Sequence, residues 1–263
     1  GNPGRSTAMA NIILVHGAFT GGWYWQRVTP LLRAAGHQVW APSLTGAGER
    51  AHLLSPKVTL ATHIEDIANV LRYEDLRDVV LVGHSYGGMV ITGVADRVPE
   101  RLAQLIYLDA AYPRDGQNAT GGFAERTGDV LNEMTKQQTD ANEPDPNWLL
   151  PPLPLAAYGV TDPADVAWIG DRRTPHPMAT LNEPLFLRNG PTNVPRAYVR
   201  CEDRQGLLAV FGADPLQPMY EQAVADGVKI ASLPSGHDAM IVAPQAVAKL
   251  LDSLAQESAQ AAS

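Results

Sequence analysis

Runs of apolar residues alternate along the chain with amphipathic stretches, and this rhythm predicts the secondary structure. Short apolar runs rich in β-branched residues predict buried strands at 11–15, 37–44, 79–82, 102–108, 196–201 and 228–233. Helical spacing follows at 25–35, 59–71, 89–97 and 217–225, and Pro244 is placed to open a closing helix. Strands separated by helices and short turns are typical of an α/β protein with a mainly parallel central sheet flanked by helices.

Between 112 and 195 the rhythm breaks, and proline becomes frequent. Helical spacing appears at 124–135 and around 155–168, and tryptophan, tyrosine and leucine side chains supply enough apolar surface for packing. We therefore predict a core made of 9–111 and 196–263, with a helical cap inserted over 112–195. Residues 1–8 lack periodicity and precede Met9, so we expect them to be a vector-derived remnant.

The strand predicted at 79–82 stops at a Gly-His-Ser-Tyr-Gly turn, residues 83–87, just before a helix. Gly-x-Ser-x-Gly between a strand and a helix is the nucleophile-elbow pattern, in which glycines permit a tight turn that exposes the serine. A chance match is the alternative, but the flanking strand and helix favour the elbow. Ser85 is the predicted nucleophile, and the backbone N–H groups of Tyr86 and Ala18 are the predicted oxyanion-hole donors.

Ser85 needs a base, and that base needs an orienting acid. His237 follows the last predicted strand and is the predicted base. Asp203 follows the preceding strand and is the preferred acid, while Asp109 and Glu202 remain alternatives on position alone. Asp238 is adjacent to His237 and is poorly placed to reach its neighbour's Nδ1.

The other histidines are expected to be structural. His16 and His84 flank the predicted active-site turns and should brace them, whereas His37 and His63 lie on elements predicted to face away from Ser85. The single cysteine, Cys201, precludes an intramolecular disulfide and is expected in the core.

Composition narrows the function classes. The chain has 28 acidic and 20 basic residues, a formal net charge of -8, and no cluster of Lys and Arg suited to nucleic acid. It has no apolar run near the ~20 residues that span a bilayer, no HExxH and no dinucleotide fingerprint. We expect a cytoplasmic enzyme without cofactor or metal that acts on a small molecule, and the sequence is compatible with a homodimer.

These motifs resemble the α/β-hydrolase superfamily, in the branch of plant methylesterases, hydroxynitrile lyases and their bacterial esterase relatives. The resemblance rests on segments 14–19, 22–23, 81–89, 201–204 and 236–240. It implies Ser85 as nucleophile, His237 as base, Ala18 and Tyr86 as oxyanion-hole donors, and Asp203 rather than Asp109 as the acid.

The same resemblance separates the chemistries of that branch. The lyases look to have threonine in place of Gly17 and lysine in place of Asp238, and an acidic side chain would not stabilise a departing cyanide anion. Relatives that dehalogenate or open epoxides look to have aspartate in place of Ser85. We therefore expect hydrolysis of a small apolar or aromatic carboxylic ester through an acyl-enzyme, with lactone or carbon–carbon hydrolysis, hydroxynitrile lysis and slow-turnover ligand binding as alternatives.

Overall fold

The computed structural model of the protein describes residues 9–120 and 148–262, and a parallel sheet lies at its centre. Over these residues the strands in chain order are β1 (Asn11–Val15), β2 (Gln38–Trp40), β3 (Val79–His84), β4 (Leu102–Leu108), β5 (Leu149–Leu150), β6 (His176–Pro177), β7 (Arg196–Cys201) and β8 (Lys229–Leu233). The sheet order is β2-β1-β3-β4-β7-β8, with every neighbouring pair parallel, while β5 and β6 form a separate antiparallel pair. The carboxyl ends of β3, β4, β7 and β8 therefore meet at one edge.

Helices cover both faces of this sheet. In chain order they are α1 (Thr29–Ala34), α2 (Leu60–Tyr73), α3 (Gly87–Arg97), α4 (Pro163–Ile169), α5 (Met178–Asn182), α6 (Gln205–Phe211), α7 (Gln217–Ala225), α8 (Ala239–Val242) and α9 (Pro244–Ala262). Short 3-10 segments occupy Gly22–Trp25, Gly48–Leu53, Pro99–Arg101 and Leu155–Tyr158, and the second of them is kinked at Arg50. Among the described residues, none of the helices has both the length and the apolar composition needed to cross a bilayer.

The bounds of β1, β4, β7 and α7 coincide with the sequence prediction, and α9 begins at Pro244 as expected. The strand predicted at 37–44 is shorter, and the helix predicted at 25–35 starts later, at Thr29, after a 3-10 turn that ends at Trp25. Proline at the start of α1 explains the late start, since its ring and missing N–H suit the first turn of a helix better than its interior. The predicted helix at 124–135 and the predicted remnant at 1–8 lie outside the described residues.

Period-two alternation along the strands builds two cores, one on each face of the sheet. Ile13 and Leu81 point into the core covered by α2, α3 and α7, whereas Ile12, Leu14 and Val80 point into the core covered by α1 and α9. Burial on both faces is what a parallel sheet requires, and it explains the unbroken apolar runs in the sequence. The sheet edge that carries Ser85 is thereby held rigidly.

The described part of 112–195 is packed against the core and is not an open linker. Leucines 150, 153, 181 and 185 share a buried cluster with Leu207 and Phe211, which belong to α6. This segment lies over the carboxyl ends of the strands, because it borders the same cavity as Ser85.

Candidate active site

Ser85 occupies the sharp turn between β3 and α3, as the elbow motif predicts. Its φ is +56°, in the left-handed region that a non-glycine residue adopts only at a cost of about 1–3 kcal/mol. The surrounding backbone leaves no room for larger neighbours: a Cβ added at Gly88 would lie 1.8 Å from the carbonyl oxygen of Ala111. One added at Gly83 would lie 2.6 Å from the carbonyl oxygen of Gly87. Close backbone packing therefore holds the serine in its strained conformation.

A buried hydrogen bond joins His237 to Asp109. His237 Nδ1 lies 2.5 Å from Asp109 Oδ2, and the two side chains are 4% and 0% exposed. Asp109 directly follows β4, and His237 follows β8 in the loop before α8. An ionised carboxylate can only accept, so Nδ1 carries the proton and Nε2 keeps its lone pair. This is the tautomer that a general base requires.

The structure corrects the expected partner of His237. Asp203 is exposed, and its Oδ1 accepts a hydrogen bond from the Gln205 N–H at 3.1 Å. Its own N–H donates to the carbonyl oxygen of Ser235, so the backbone of Asp203 joins the segment after β7 to the segment after β8. Glu202 is also exposed. Of the three carboxylates weighed, Asp109 is the one that contacts His237.

Asp109 is held as an anion. Burial alone would raise the pKa of its carboxyl, but the hydrogen bond and charge of His237, together with the Arg204 guanidinium, outweigh burial and place this pKa below its usual value. The Cys201 N–H adds a further hydrogen bond to Oδ1 at 3.1 Å. Asp109 therefore stays charged and fixed across the neutral pH range.

The predicted oxyanion-hole donors lie beside Ser85. Ala18 and Tyr86 line one cavity together with Ser85 and His237. Tyr86 caps the N-terminus of α3, where the helix dipole favours negative charge. Gly17 packs against the nucleophile, since a Cβ added there would lie 2.9 Å from Ser85 Cβ. Both backbone segments are thus adjacent to the position of a reacting carbonyl.

His16 and His84 brace the active-site turns, as predicted. His16 Nε2 accepts the Leu44 N–H at 2.9 Å and its Nδ1 bonds to the Gly17 carbonyl oxygen at 2.7 Å. His84 Nε2 donates to the carbonyl oxygen of His237 at 2.9 Å. Burial lowers the pKa of His16 to about 4 and that of His84 to about 3, so both are neutral at neutral pH.

His63 does not face away from Ser85, so that prediction is wrong. It is buried, its Nδ1 lies 2.9 Å from the Tyr86 hydroxyl, and its Nε2 lies 2.9 Å from the Thr45 carbonyl oxygen. The Tyr86 ring also packs edge-on against His176, with centroids 4.7 Å apart. Two histidines thus hold the side chain of Tyr86, the residue whose backbone N–H is a predicted oxyanion donor. The apolar stripe of α2, Leu60, Ile64, Ile67 and Leu71, includes position 63 at helical spacing and was the available signal.

These neutral histidines predict a loss of stability in mild acid. The unfolded chain gains protons on His16 and His84 near their usual pKa of 6.5, whereas the folded chain gains them only near pH 4 and 3. The unfolded state therefore binds more protons below pH 6.5, and the free energy of unfolding should fall by about 1.4 kcal/mol per pH unit for each histidine. Urea denaturation at pH values from 7.5 to 4.5 measures this slope.

A matched pair of variants identifies the groups responsible. His16→Gln should lower the slope by about 1.4 kcal/mol per pH unit, the share of one histidine, and His52→Gln, which changes an exposed histidine, should leave it unchanged. A free energy of unfolding that is constant from pH 7 to 4.5 in the native chain would contradict the assignment.

Ser85 and His237 border two cavities of different character. One of about 30 Å³ has a polar lining that includes Tyr24, Arg173 and Asp238. The other, of about 120 Å³, is largely apolar, with side chains of Leu150, Leu153, Leu181, Leu207 and Phe211. The site therefore separates a small polar compartment from a larger apolar one.

Asp238 is a buried carboxyl group that lines the polar cavity. The Tyr24 hydroxyl donates to its Oδ2, and its Oδ1 lies 3.6 Å from His84 Nε2. Burial raises the pKa of the Asp238 carboxyl above its usual value. Ligand atoms of His84, His237 and Asp238 lie within 4.8 Å of one another, the spacing of a metal site. His84 Nε2 and Asp238 Oδ2 are engaged in the hydrogen bonds above, whereas His237 Nε2 keeps its lone pair.

A parallel sheet with a serine on the turn after one strand and a hydrogen-bonded histidine after the last strand defines the α/β-hydrolase class of folds. A model of the alpha/beta hydrolase family matches residues 12–250, and the chain belongs to that family.

Several known proteins are similar to this chain. A carbendazim hydrolyzing esterase from Nocardioides sp. (strain SG-4G) is 38% identical over 252 residues, which cover 94% of this chain and 100% of that protein. Salicylic acid-binding protein 2 from Nicotiana tabacum is 27% identical, with 89% of this chain and 93% of that protein covered. An extracellular alpha/beta-hydrolase from a Paenibacillus species shares the fold, with a TM-score of 0.76 at 22% identity, covering 93% and 98% of the two chains.

Proposed function

We propose that the chain is an ester-hydrolysing serine hydrolase in which Ser85 is the nucleophile, His237 the general base and Asp109 the orienting acid. The observation that carries the proposal is the 2.5 Å bond from His237 Nδ1 to Asp109, with Ser85 on a strained elbow beside the same cavity. The curated relatives named as esterases support the reaction class.

Acylation follows from the positions of these groups. His237 Nε2 takes the proton of the Ser85 hydroxyl as Oγ attacks the ester carbonyl. The negative charge that develops on the carbonyl oxygen is stabilised by the N–H groups of Ala18 and Tyr86, and loss of one such donor typically costs about 10²–10³ in kcat. Asp109 stabilises the imidazolium that forms, and His237 then protonates the departing alcohol.

Deacylation uses the same residues in reverse roles. His237 removes a proton from water, the hydroxide attacks the acyl carbonyl, and the Ser85 oxygen leaves with the proton that His237 returns. The products are a carboxylic acid and the enzyme in its starting state. The polar cavity beside Ser85, at about 30 Å³, is large enough for one water molecule and offers several polar partners.

The two cavities also support an assignment of the substrate's parts. The apolar cavity suits an apolar or aromatic acyl group, because its leucines and Phe211 gain from removing such a surface from water. The polar cavity suits a small alcohol or the attacking water. Packed segments from 148–195 line the apolar cavity, so we propose that 112–195 acts as a cap that selects the substrate. A cytoplasmic location and a homodimer remain predictions.

A panel of p-nitrophenyl and methyl esters with graded acyl length and aromaticity tests this assignment. We expect turnover that rises with acyl size until the apolar cavity is filled. Leu181→Trp should lower kcat/KM for the largest accepted acyl group at least tenfold, because the indole fills the cavity and each methyl group of substrate that is excluded is worth about 1 kcal/mol. The kcat/KM for acetate esters should stay within about threefold.

The matched control is Leu208→Trp, which makes the same exchange on a half-exposed position of α6. It should leave the acyl profile unchanged. An acyl profile that Leu181→Trp and Leu208→Trp alter equally would contradict the assignment of the cavity, and an absence of turnover on every ester would contradict the reaction class.

A further inference from the structure

Asp109 has a second strong partner besides His237. Arg204 Nη1 lies 2.7 Å from each carboxylate oxygen of Asp109 and 3.0 Å from the Cys201 carbonyl oxygen. Arg204 is in the turn between β7 and α6, next to the residue that sequence reasoning preferred as the acid. The carboxylate of Asp109 is thus held from one side by the guanidinium and from the other by the imidazole.

Arg204 is itself held by another carboxylate. Its Nε and Nη2 donate to the two oxygens of Asp214 at 2.8 and 2.7 Å. Asp214 also accepts from Arg200 Nη2 at 2.7 Å and from the Leu216 N–H at 3.0 Å. The side chains of Asp109, Arg204, Asp214 and Arg200 are 0%, 12%, 9% and 11% exposed. A chain of alternating charge therefore runs outward from His237 through largely buried groups.

This placement has two physical consequences for His237. A guanidinium that contacts both oxygens of Asp109 restricts the rotation of the carboxylate, which sets the direction of the bond to Nδ1. The positive charge also offsets part of the negative charge that would otherwise favour the imidazolium form of His237. The combined effect of the Asp109 and Arg204 charges matters because His237 acts as a base only while it is neutral.

We propose that Arg204 is a positioning residue of this site, which orients the Asp109 carboxylate and limits how strongly it favours protonation of His237. The inference deepens the proposed function and rests on it. Arg204 contacts Asp109 and not Ser85 or the reacting carbonyl, so it acts through Asp109.

Other groups that face His237 come from several elements. His84 at the end of β3 packs against it at a tilt of 37°, with ring centroids 4.5 Å apart, and is neutral through burial. The Tyr158 ring from the 3-10 turn Leu155–Tyr158 is 5.5 Å away. Asp238 is its sequence neighbour, and Arg173 lines the same small cavity. None of these is bonded to Arg204, so a change at Arg204 reaches His237 through Asp109.

The experiment compares pH profiles of kcat and kcat/KM for p-nitrophenyl acetate in the native chain, Arg204→Met, Arg204→Lys and Arg200→Met. For Arg204→Met we expect kcat to be at least tenfold lower and KM to stay within about threefold. The acidic limb of kcat/KM should move up by about one pH unit, because a positive charge close to His237 is lost. Arg204→Lys keeps the charge but contacts fewer acceptors, so kcat should fall while the acidic limb stays in place. Thermal unfolding shows whether each variant is folded, and titration of Ser85 with a phosphonate counts the reactive sites.

Arg200→Met is the matched control. Arg200 is about as buried as Arg204 and contacts the same carboxylate, Asp214, but it does not contact Asp109. Its pH profile should match that of the native chain. The proposal is overturned if Arg204→Met keeps the native acidic limb and loses no more kcat than Arg200→Met.

Two further outcomes are decisive. If Arg204→Met does not fold, Arg204→Lys decides: native kcat in that variant contradicts the orienting role, and a displaced acidic limb contradicts the electrostatic one. Failure of the proposed function is separately visible, because the native chain would then not hydrolyse the ester or Ser85→Ala would hydrolyse it equally well.

Discussion

Asp109→Asn is expected to lower kcat/KM for a good ester by about 10⁴-fold, whereas Asp203→Asn should stay within about threefold. The amide of asparagine can donate to Nδ1, which would shift the proton of His237 to Nε2 and remove the lone pair that accepts the serine proton. It would also leave the imidazolium without its buried counter-charge. Steady-state kinetics of the two variants on one ester measure the difference.

Asp203→Asn is the matched control for that exchange, since it makes the same chemical change at the other candidate. The exposed Asp203 carboxylate contacts the Gln205 N–H, so its loss should cost about 1 kcal/mol of stability at most. Near-native activity in Asp109→Asn together with a collapse in Asp203→Asn would show that the histidine is oriented from β7 instead of β4.

Ser85→Ala is expected to lower kcat by about 10⁶-fold, the order of loss seen when a serine nucleophile is removed from a triad. Alanine keeps the turn and removes only the oxygen that attacks the carbonyl, so the cavities that bind the ester should be unchanged. Equilibrium binding of the product acid should therefore stay within a few fold of the native chain. Stopped assays with product detection at high enzyme concentration measure the residual rate.

Ser55→Ala provides the comparison, because Ser55 is half-buried and its hydroxyl accepts a local hydrogen bond from the Lys57 N–H. Native activity is expected there. Ester hydrolysis that survives in Ser85→Ala at more than about one hundredth of the native rate would place the nucleophile elsewhere.

The parts of the fold that could be predicted are those in which neighbouring residues carry the information. Buried parallel strands appear as continuous apolar runs, so β1, β4 and β7 have the predicted bounds. The elbow is equally local: Ser85, its flanking glycines and the adjacent strand and helix are contiguous in the chain. His237 could be predicted because a loop after the last strand has few other candidates.

The hydrogen-bond partner of His237 could not be predicted in the same way. Asp109 and Asp203 each follow a strand that ends at the same edge of the sheet, and β4 and β7 are neighbours. Which of the two contacts His237 depends on which carboxylate points inward. The Cys201 N–H and the Arg204 guanidinium hold the carboxylate of Asp109 in that orientation. Resemblance to the family favoured Asp203, but the turn at 203–205 uses that side chain for its own hydrogen bond.

His63 illustrates a different limit. Its place in the apolar stripe of α2 indicates burial, but the spacing does not say what the buried ring contacts. The contact with the Tyr86 hydroxyl joins α2 to the elbow across the sequence, and such pairings depend on how the helices pack.

The most direct test of the account is to trap the acyl-enzyme. The native chain is mixed with excess p-nitrophenyl ester, quenched in acid within milliseconds and digested, and the peptide that contains Ser85 is examined by mass spectrometry. We expect one acyl group per chain on Ser85 and none in Ser85→Ala. Rapid ester turnover with no acyl group on Ser85, or an acyl group on another residue that forms and decays at the rate of turnover, would contradict it.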